Sequence, residues 1–191
     1  MMFVDARSGR LKPSWCARFL GALLPGLIAA GAANAAGLAD HVCTTAVPPT
    51  TPSSDFEVVG DVENGVVRHL STGLEWRRCV LSSTFTDGEC QGFGVFNWQG
   101  ALQGAEAEGD GWRVPNFKEL ASIIEECSFQ PAINTVVFPL SNATLWTSTT
   151  DNRFGTDRAK VIDIESGLDS SNLKLGRNSD RRATLLVRNP R

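Results

Sequence analysis

The chain has 191 residues, 42% of them hydrophobic, with five cysteines, two histidines, no tyrosine and a formal net charge of −3. That length and apolar content suit one domain with a buried core. The acidic balance argues against nucleic acid as a partner, because binding phosphates requires a basic surface.

Residues 1–35 read as a secretory signal peptide. Arg7, Arg10, Lys12 and Arg18 form a basic start, Phe19 to Ala33 is uncharged and apolar, and Ala33-Asn34-Ala35 fits a small-x-small cleavage site. The apolar run is about 15 residues, shorter than the roughly 20 that a spanning helix needs. No membrane span is expected after cleavage, and the expected location is periplasmic or secreted. Removing Cys16 leaves Cys43, Cys79, Cys90 and Cys127. An even number in an exported chain suggests two disulfides, with three connectivities open. The absence of a CxxC pair and the presence of only His41 and His69 argue against zinc.

Residues 36–54 form an arm or linker, rich in Thr, Pro and Ser over TTAVPPTTPSS. The folded domain is placed at 55–191. FEVVGDVENGVVRHLSTGLEWRRCV alternates short β-type runs with turn signals, Asn64-Gly65 being the strongest, and predicts a β-meander. A glycine-rich polar loop follows between Cys79 and Cys90. Asn97 caps a predicted helix over 98–108, with Trp98, Ala101, Leu102 and Ala105 on one face, and Gly109 ends it. In GDGWRVPNFKEL, Trp112 is expected in the core and Pro115 holds the chain extended. Asn116 and Glu119 form a capping box that opens a helix over 117–126. Arg113 is expected to anchor this corner through backbone carbonyls or a carboxylate. The segment PAINTVVFP, between two prolines, is expected to run extended over the surface. TLWTSTT, AKVIDIES and ATLLVRN are the closing strand candidates. Strands, two helices, then strands make the fold class α+β.

Several blocks in this order carry a resemblance: TGLEWRRC (72–79), FNWQGAL (96–102), GWRVPNFKEL (111–120), PAINTVVFP (131–139), LWTSTT (145–150), then VIDIESG and a terminal LLVRN. They resemble the bacterial family named for the C-terminal domain of the collagen-like adhesin Lcl, over roughly residues 60–189. The resemblance implies a C-type-lectin-like α+β architecture, with two helices packed on small twisted antiparallel sheets and disulfide staples. It implies the pairing Cys79–Cys90, which leaves Cys43 with Cys127. It also implies adhesion, through sulfated glycans, as a possible role in the exported domain.

The chemistry visible in the residues points to binding rather than catalysis. There is no GxSxG, and His69 sits in a β-run without a nameable partner, so no catalytic residue is assigned. Val114-Pro115-Asn116 and Trp146-Thr147-Ser148 lack the carboxylates that calcium-dependent sugar sites use, and Asp151, Asp163 and Glu165 are not set together by any motif, so no metal or other cofactor is expected. Between Lys174 and Arg191, basic residues outnumber the single acid Asp180. Lys174, Arg177, Arg181 and Arg182 are the candidate anion-binding residues. The expected partner is an anionic polysaccharide or an extracellular or envelope protein. The alternative is an envelope structural or assembly factor without a small ligand.

Overall fold

The computed structural model describes residues 38, 42–43, 46–61, 65–153, 155, 157–174 and 180–190. The segment 1–35 expected to be a signal peptide, Asn64 and Arg177 lie outside these residues. Among the described residues a four-stranded antiparallel sheet runs in the order β1 (Phe56–Val58), β2 (Val66–His69), β3 (Glu75–Arg77) and β9 (Val187–Arg188). Its register places Val67 opposite Trp76 and Trp76 opposite Val187, and all three are fully buried. These three side chains make an apolar row across neighbouring strands, and strand alternation fixes which side of each strand goes inward. The turn after β2 closes where the Gly73 N–H donates to the His69 carbonyl at 2.8 Å, with Gly73 at a φ of 71°. That left-handed conformation suits glycine.

The loop bracketed by Cys79 and Cys90 is itself a hairpin, β4 (Thr84–Thr86) with β5 (Glu89–Gln91). Asp87 and Gly88 carry φ values of 52° and 83°. Two successive left-handed residues are what a two-residue primed turn requires. The helix α1 spans Trp98–Ala107, and the Asn97 side chain accepts from the Gly100 N–H at 2.8 Å. Ala101 and Ala105 are buried, while Trp98 and Leu102 flank them partly exposed.

The second helix is shorter than its apolar spacing predicts: α2 covers only Phe117–Ala121. Beyond it the backbone leaves the helical path because other partners take its N–H groups. The Glu125 N–H donates to the Ala132 carbonyl at 3.1 Å, and Ile124 makes a β-bridge to Ile133. The expectation of a helix to 126 fails at this competition, although Ile123 still reaches the core, fully buried.

The segment 131–139 is not a surface strap. Ile133, Val137 and Phe138 are fully buried, as is Asn134. Asn134 makes an irregular backbone tolerable there. Its Oδ1 accepts from the N–H groups of Val136 and Val137 at 3.1 and 3.3 Å, and its Nδ2 donates to the Thr51 carbonyl and Ser53 Oγ at 3.0 and 3.1 Å. Buried backbone polar groups need such partners.

A three-stranded antiparallel sheet completes the domain: β6 (Thr144–Asp151), β7 (Arg158–Asp163) and β8 (Asp169–Leu173). Its buried side chains include Trp146, whose indole N–H donates to the Phe96 carbonyl at 2.8 Å. The terminal ATLLVRN enters regular strand only at Val187–Arg188; before that it crosses the domain through single bridges, Phe96 to Arg182 and Leu145 to Ala183. The architecture is α+β, with two helices, small antiparallel sheets and two disulfides, Cys43–Cys127 and Cys79–Cys90.

Candidate functional site

The corner 109–120 begins with three consecutive left-handed residues, Gly109, Asp110 and Gly111, at φ 66°, 56° and 79°. They reverse the chain after α1 and deliver Trp112, 6% exposed, into the second apolar cluster beside Leu81, Val114 and Leu186. Pro115 is buried, and its carbonyl accepts from the Ser148 N–H at 2.8 Å. Asn116 accepts from the Glu119 N–H at 2.9 Å while Glu119 Oε2 accepts from the Asn116 N–H at 2.8 Å, a complete capping box.

Arg113 binds the same carboxylate through both terminal nitrogens, at 2.7 and 2.8 Å. Its backbone also pairs both ways with Val187 at 3.0 Å, tying the corner to β9. The Arg113 bonds hold the Glu119 carboxyl below its ordinary pKa, burial opposing them and the Asn116 N–H assisting. Because the arginine side chain is 40% exposed, solvent screens much of this pair. An Arg113→Ala variant is expected to lose only about 1 kcal/mol of stability in a thermal or urea melt. A cleft of about 590 Å³ opens over this corner, lined in part by Glu106, Asp110, Trp112, Arg113 and Ser148.

Lys174 and Arg182 are brought to one place, the segment that leads into α1. The Trp98 N–H donates to the Lys174 carbonyl at 3.1 Å, and the Lys174 ammonium lies 4.7 Å from the centroid of the Trp98 ring. That ammonium also donates to Thr150 Oγ1 at 3.2 Å. Two residues earlier, Phe96 and Arg182 exchange backbone hydrogen bonds, both at 2.9 Å. The Arg182 guanidinium reaches the Asn172 carboxamide at 2.8 and 2.9 Å and the Arg181 carbonyl at 2.8 Å. Arg181 is exposed beside it. The Trp98 indole, on the same helix face as the buried Ala101 and Ala105, thus lies partly at the surface beneath an ammonium, with its N–H on the Thr147 carbonyl at 2.8 Å.

Other titratable groups have structural partners. His69 is 3% exposed, stacks on Phe56 at 4.8 Å, and meets the hydroxyls of Ser71 and Thr72 with its two ring nitrogens. Burial lowers its pKa, against the nearby charge of Asp55. Asp151 accepts two side-chain nitrogens and the N–H of Arg153, which lowers its pKa. Asp163 accepts the Glu165 N–H at 2.8 Å within a turn. Among the described residues no group of three or more His, Cys, Asp or Glu side chains is arranged to hold a metal ion.

Sequence reasoning missed Glu125. Only 1% exposed, it takes five hydrogen bonds of 2.8 to 2.9 Å, from the N–H and hydroxyl of both Thr50 and Thr51 and from the Cys127 N–H. Burial pushes its pKa up, and these donors overcome that and bring it to about 2. The segment expected to be an arm or linker is therefore held to the domain at Thr50 and Thr51, as it is at Cys43 by the disulfide to Cys127. Nothing in the spacing of a single glutamate after an apolar run signals this role.

Among the described residues no helix is long and apolar enough to cross a membrane. Compared with known proteins, the chain matches no curated protein and no solved structure. A family model, the Lcl C-terminal domain, matches residues 65–188, the stretch from just before β2 to the end of β9. The match spans β2 and β3, the corner and the Lys174–Arg182 segment, and this chain belongs to the Lcl C-terminal domain family.

Proposed function

We propose that this is an exported, non-enzymatic recognition domain of C-type-lectin-like architecture that binds an anionic glycan at the cell envelope. The carrying observation is the meeting of Lys174 and Arg182, with Arg181 beside them, around the Phe96–Trp98 segment. Neighbouring cations on a mildly acidic chain attract a polyanion locally without making the whole surface sticky. Guanidinium and ammonium groups then make charge-assisted bonds to sulfate or carboxylate oxygens. Membership of an adhesin-associated family supports a binding role, and two disulfides suit an oxidising compartment. The engagement of His69 by two hydroxyls inside the core supports a structural histidine rather than a general base.

The test is binding of immobilised dextran sulfate, with uncharged dextran as control, at low and high salt. The wild-type protein is expected to bind the sulfated polymer in a salt-sensitive way. A Lys174/Arg181/Arg182→Ala variant is expected to lose about tenfold or more in affinity at low salt, since each phosphate- or sulfate-type contact steepens the salt dependence. Unchanged binding by that variant would remove these residues from the site. The second reading, contact with an envelope protein, draws on Phe93, which is 56% exposed next to the disulfide-closed hairpin. It stands if the wild-type protein ignores the polymer.

A further inference from the structure

We propose a second binding site, for the carboxylate of an acidic sugar, in the cleft lined by Val59, Gly60, Gly65 and the β4–β5 hairpin. The cleft has a volume of about 550 Å³, and its walls include Val66, Arg77, Ser83, Phe85, Trp112 and Arg188. Among the described residues, Arg77 and Arg188 are its only charged lining residues. Both guanidinium groups lie against the Trp112 indole, at 5.1 and 4.4 Å from the ring centroid.

Each guanidinium is also tethered at one side. Arg77 Nη2 meets Glu108 at 2.8 Å, and Arg188 Nε meets Glu75 at 2.9 Å. Glu75 is itself fixed, its other oxygen accepting from Arg68 at 2.8 Å with the side chain 3% exposed. This ion pair and this hydrogen bond leave both Nη nitrogens of Arg188, and Nε and Nη1 of Arg77, without a further acceptor among the described residues. Two guanidinium forks are thus held on one indole with donors to offer. Stacking and tethering have already removed the rotamer freedom that a ligand would otherwise have to restrict.

The donor set selects the ligand. A planar fork matches the two oxygens of a carboxylate. The Ser83 hydroxyl donates to the Gly92 carbonyl at 2.8 Å, which leaves its oxygen able to accept from a ligand hydroxyl. Val66 and Phe85 supply an apolar wall for a ring face. Carboxylate, hydroxyls and a ring face together describe an acidic sugar. Glu75 and Glu108 balance the two arginines, so recognition here rests on directed hydrogen bonds more than on net charge. It shares no residue with the Lys174–Arg182 segment and stands independently of it.

The experiment titrates the purified protein with glucuronate, glucose and acetate at matched ionic strength, read by the Trp112 indole resonance and by calorimetry. Saturable millimolar binding of glucuronate is expected, with glucose and acetate weaker by about tenfold or more. Arg77→Gln and Arg77→Lys are both expected to weaken glucuronate about tenfold, Lys retaining the charge but losing the fork. The Lys174/Arg181/Arg182→Ala variant is expected to bind glucuronate like the wild type even where it loses dextran sulfate. Equal affinity for acetate or glucose, wild-type glucuronate affinity in a folded Arg77 variant, or loss of glucuronate in the triple variant would each overturn the proposal. Loss of dextran sulfate binding alone would bear only on the first site.

Discussion

Replacing Cys43 and Cys127 together with serine is expected to lower the unfolding free energy by about 4 kcal/mol, in the chain-entropy account of cross-links. The bridge closes a loop with a sequence separation of 84, with Cα atoms 5.1 Å apart, and Cys127 is fully buried. Cutting it frees the N-terminal arm in the unfolded chain and puts a hydroxyl where a sulfur was packed. The Cys79–Cys90 bridge has a sequence separation of only 11 and closes a hairpin that also has ladder hydrogen bonds. Its removal is expected to cost about 3 kcal/mol or less. Urea unfolding of the two double variants side by side checks the order. A larger loss from the short loop than from the long one would show that the arm contributes little to the folded state.

The second large effect belongs to Glu125. Glu125→Ala is expected to cost about 3 kcal/mol, because it strands the N–H groups of Thr51 and Cys127 in a buried site. Glu125→Gln keeps the shape but turns an N–H₂ toward donors, and about 2 kcal/mol is expected to be lost. The pH dependence follows from the direction of the shift. The folded pKa of about 2 lies below the ordinary 4.5, so the unfolded chain binds the proton first. The stabilisation is fully present above pH 4.5 and is lost as the pH falls through the folded value near 2. Glu75, Glu119 and Asp151 shift in the same direction. The diagnostic is therefore the difference between wild type and Glu125→Gln, which should shrink steadily in acid. A gap independent of pH between 5 and 2 would mean that the carboxylate charge is not what holds the arm. The effects of Glu125 and of Cys127 are not expected to add, since the Cys127 N–H is one of the five donors.

The corner was the most legible part of the chain, because its signals are local. Asn116 and Glu119 sit three apart and close the capping box, and Arg113 finds its carboxylate six residues away. The α+β order, α1 and the strands around Trp146 and Val161 were legible for the same reason, through periodic apolar residues. The hairpin β4–β5 was overlooked although Asp87-Gly88 is a strong turn signal; its strands TFT and ECQ are too short and polar to show alternation. The strand β8, DSSNL, has residues of low strand propensity and exists because β7 offers it a partner edge. The buried course of 131–139 was illegible because it depends on one asparagine satisfying distant backbone groups. Long-range pairings were hidden too. No spacing rule joins Thr50 to Glu125, Arg77 to Arg188 across Trp112, or Lys174 to Arg182 through the segment before α1.

The binding surface itself is best tested by mapping. Titrating ¹⁵N-labelled protein with a short dextran sulfate, which carries no carboxylate, should move the backbone signals of Lys174, Arg181 and Arg182 most. The Trp98 indole N–H, bonded to the Thr147 carbonyl beneath the Lys174 ammonium, should move with them. The signals of Arg77 and Trp112 should change little. Perturbations that spread evenly over the surface, or that centre away from Lys174 and Arg182, would contradict the account.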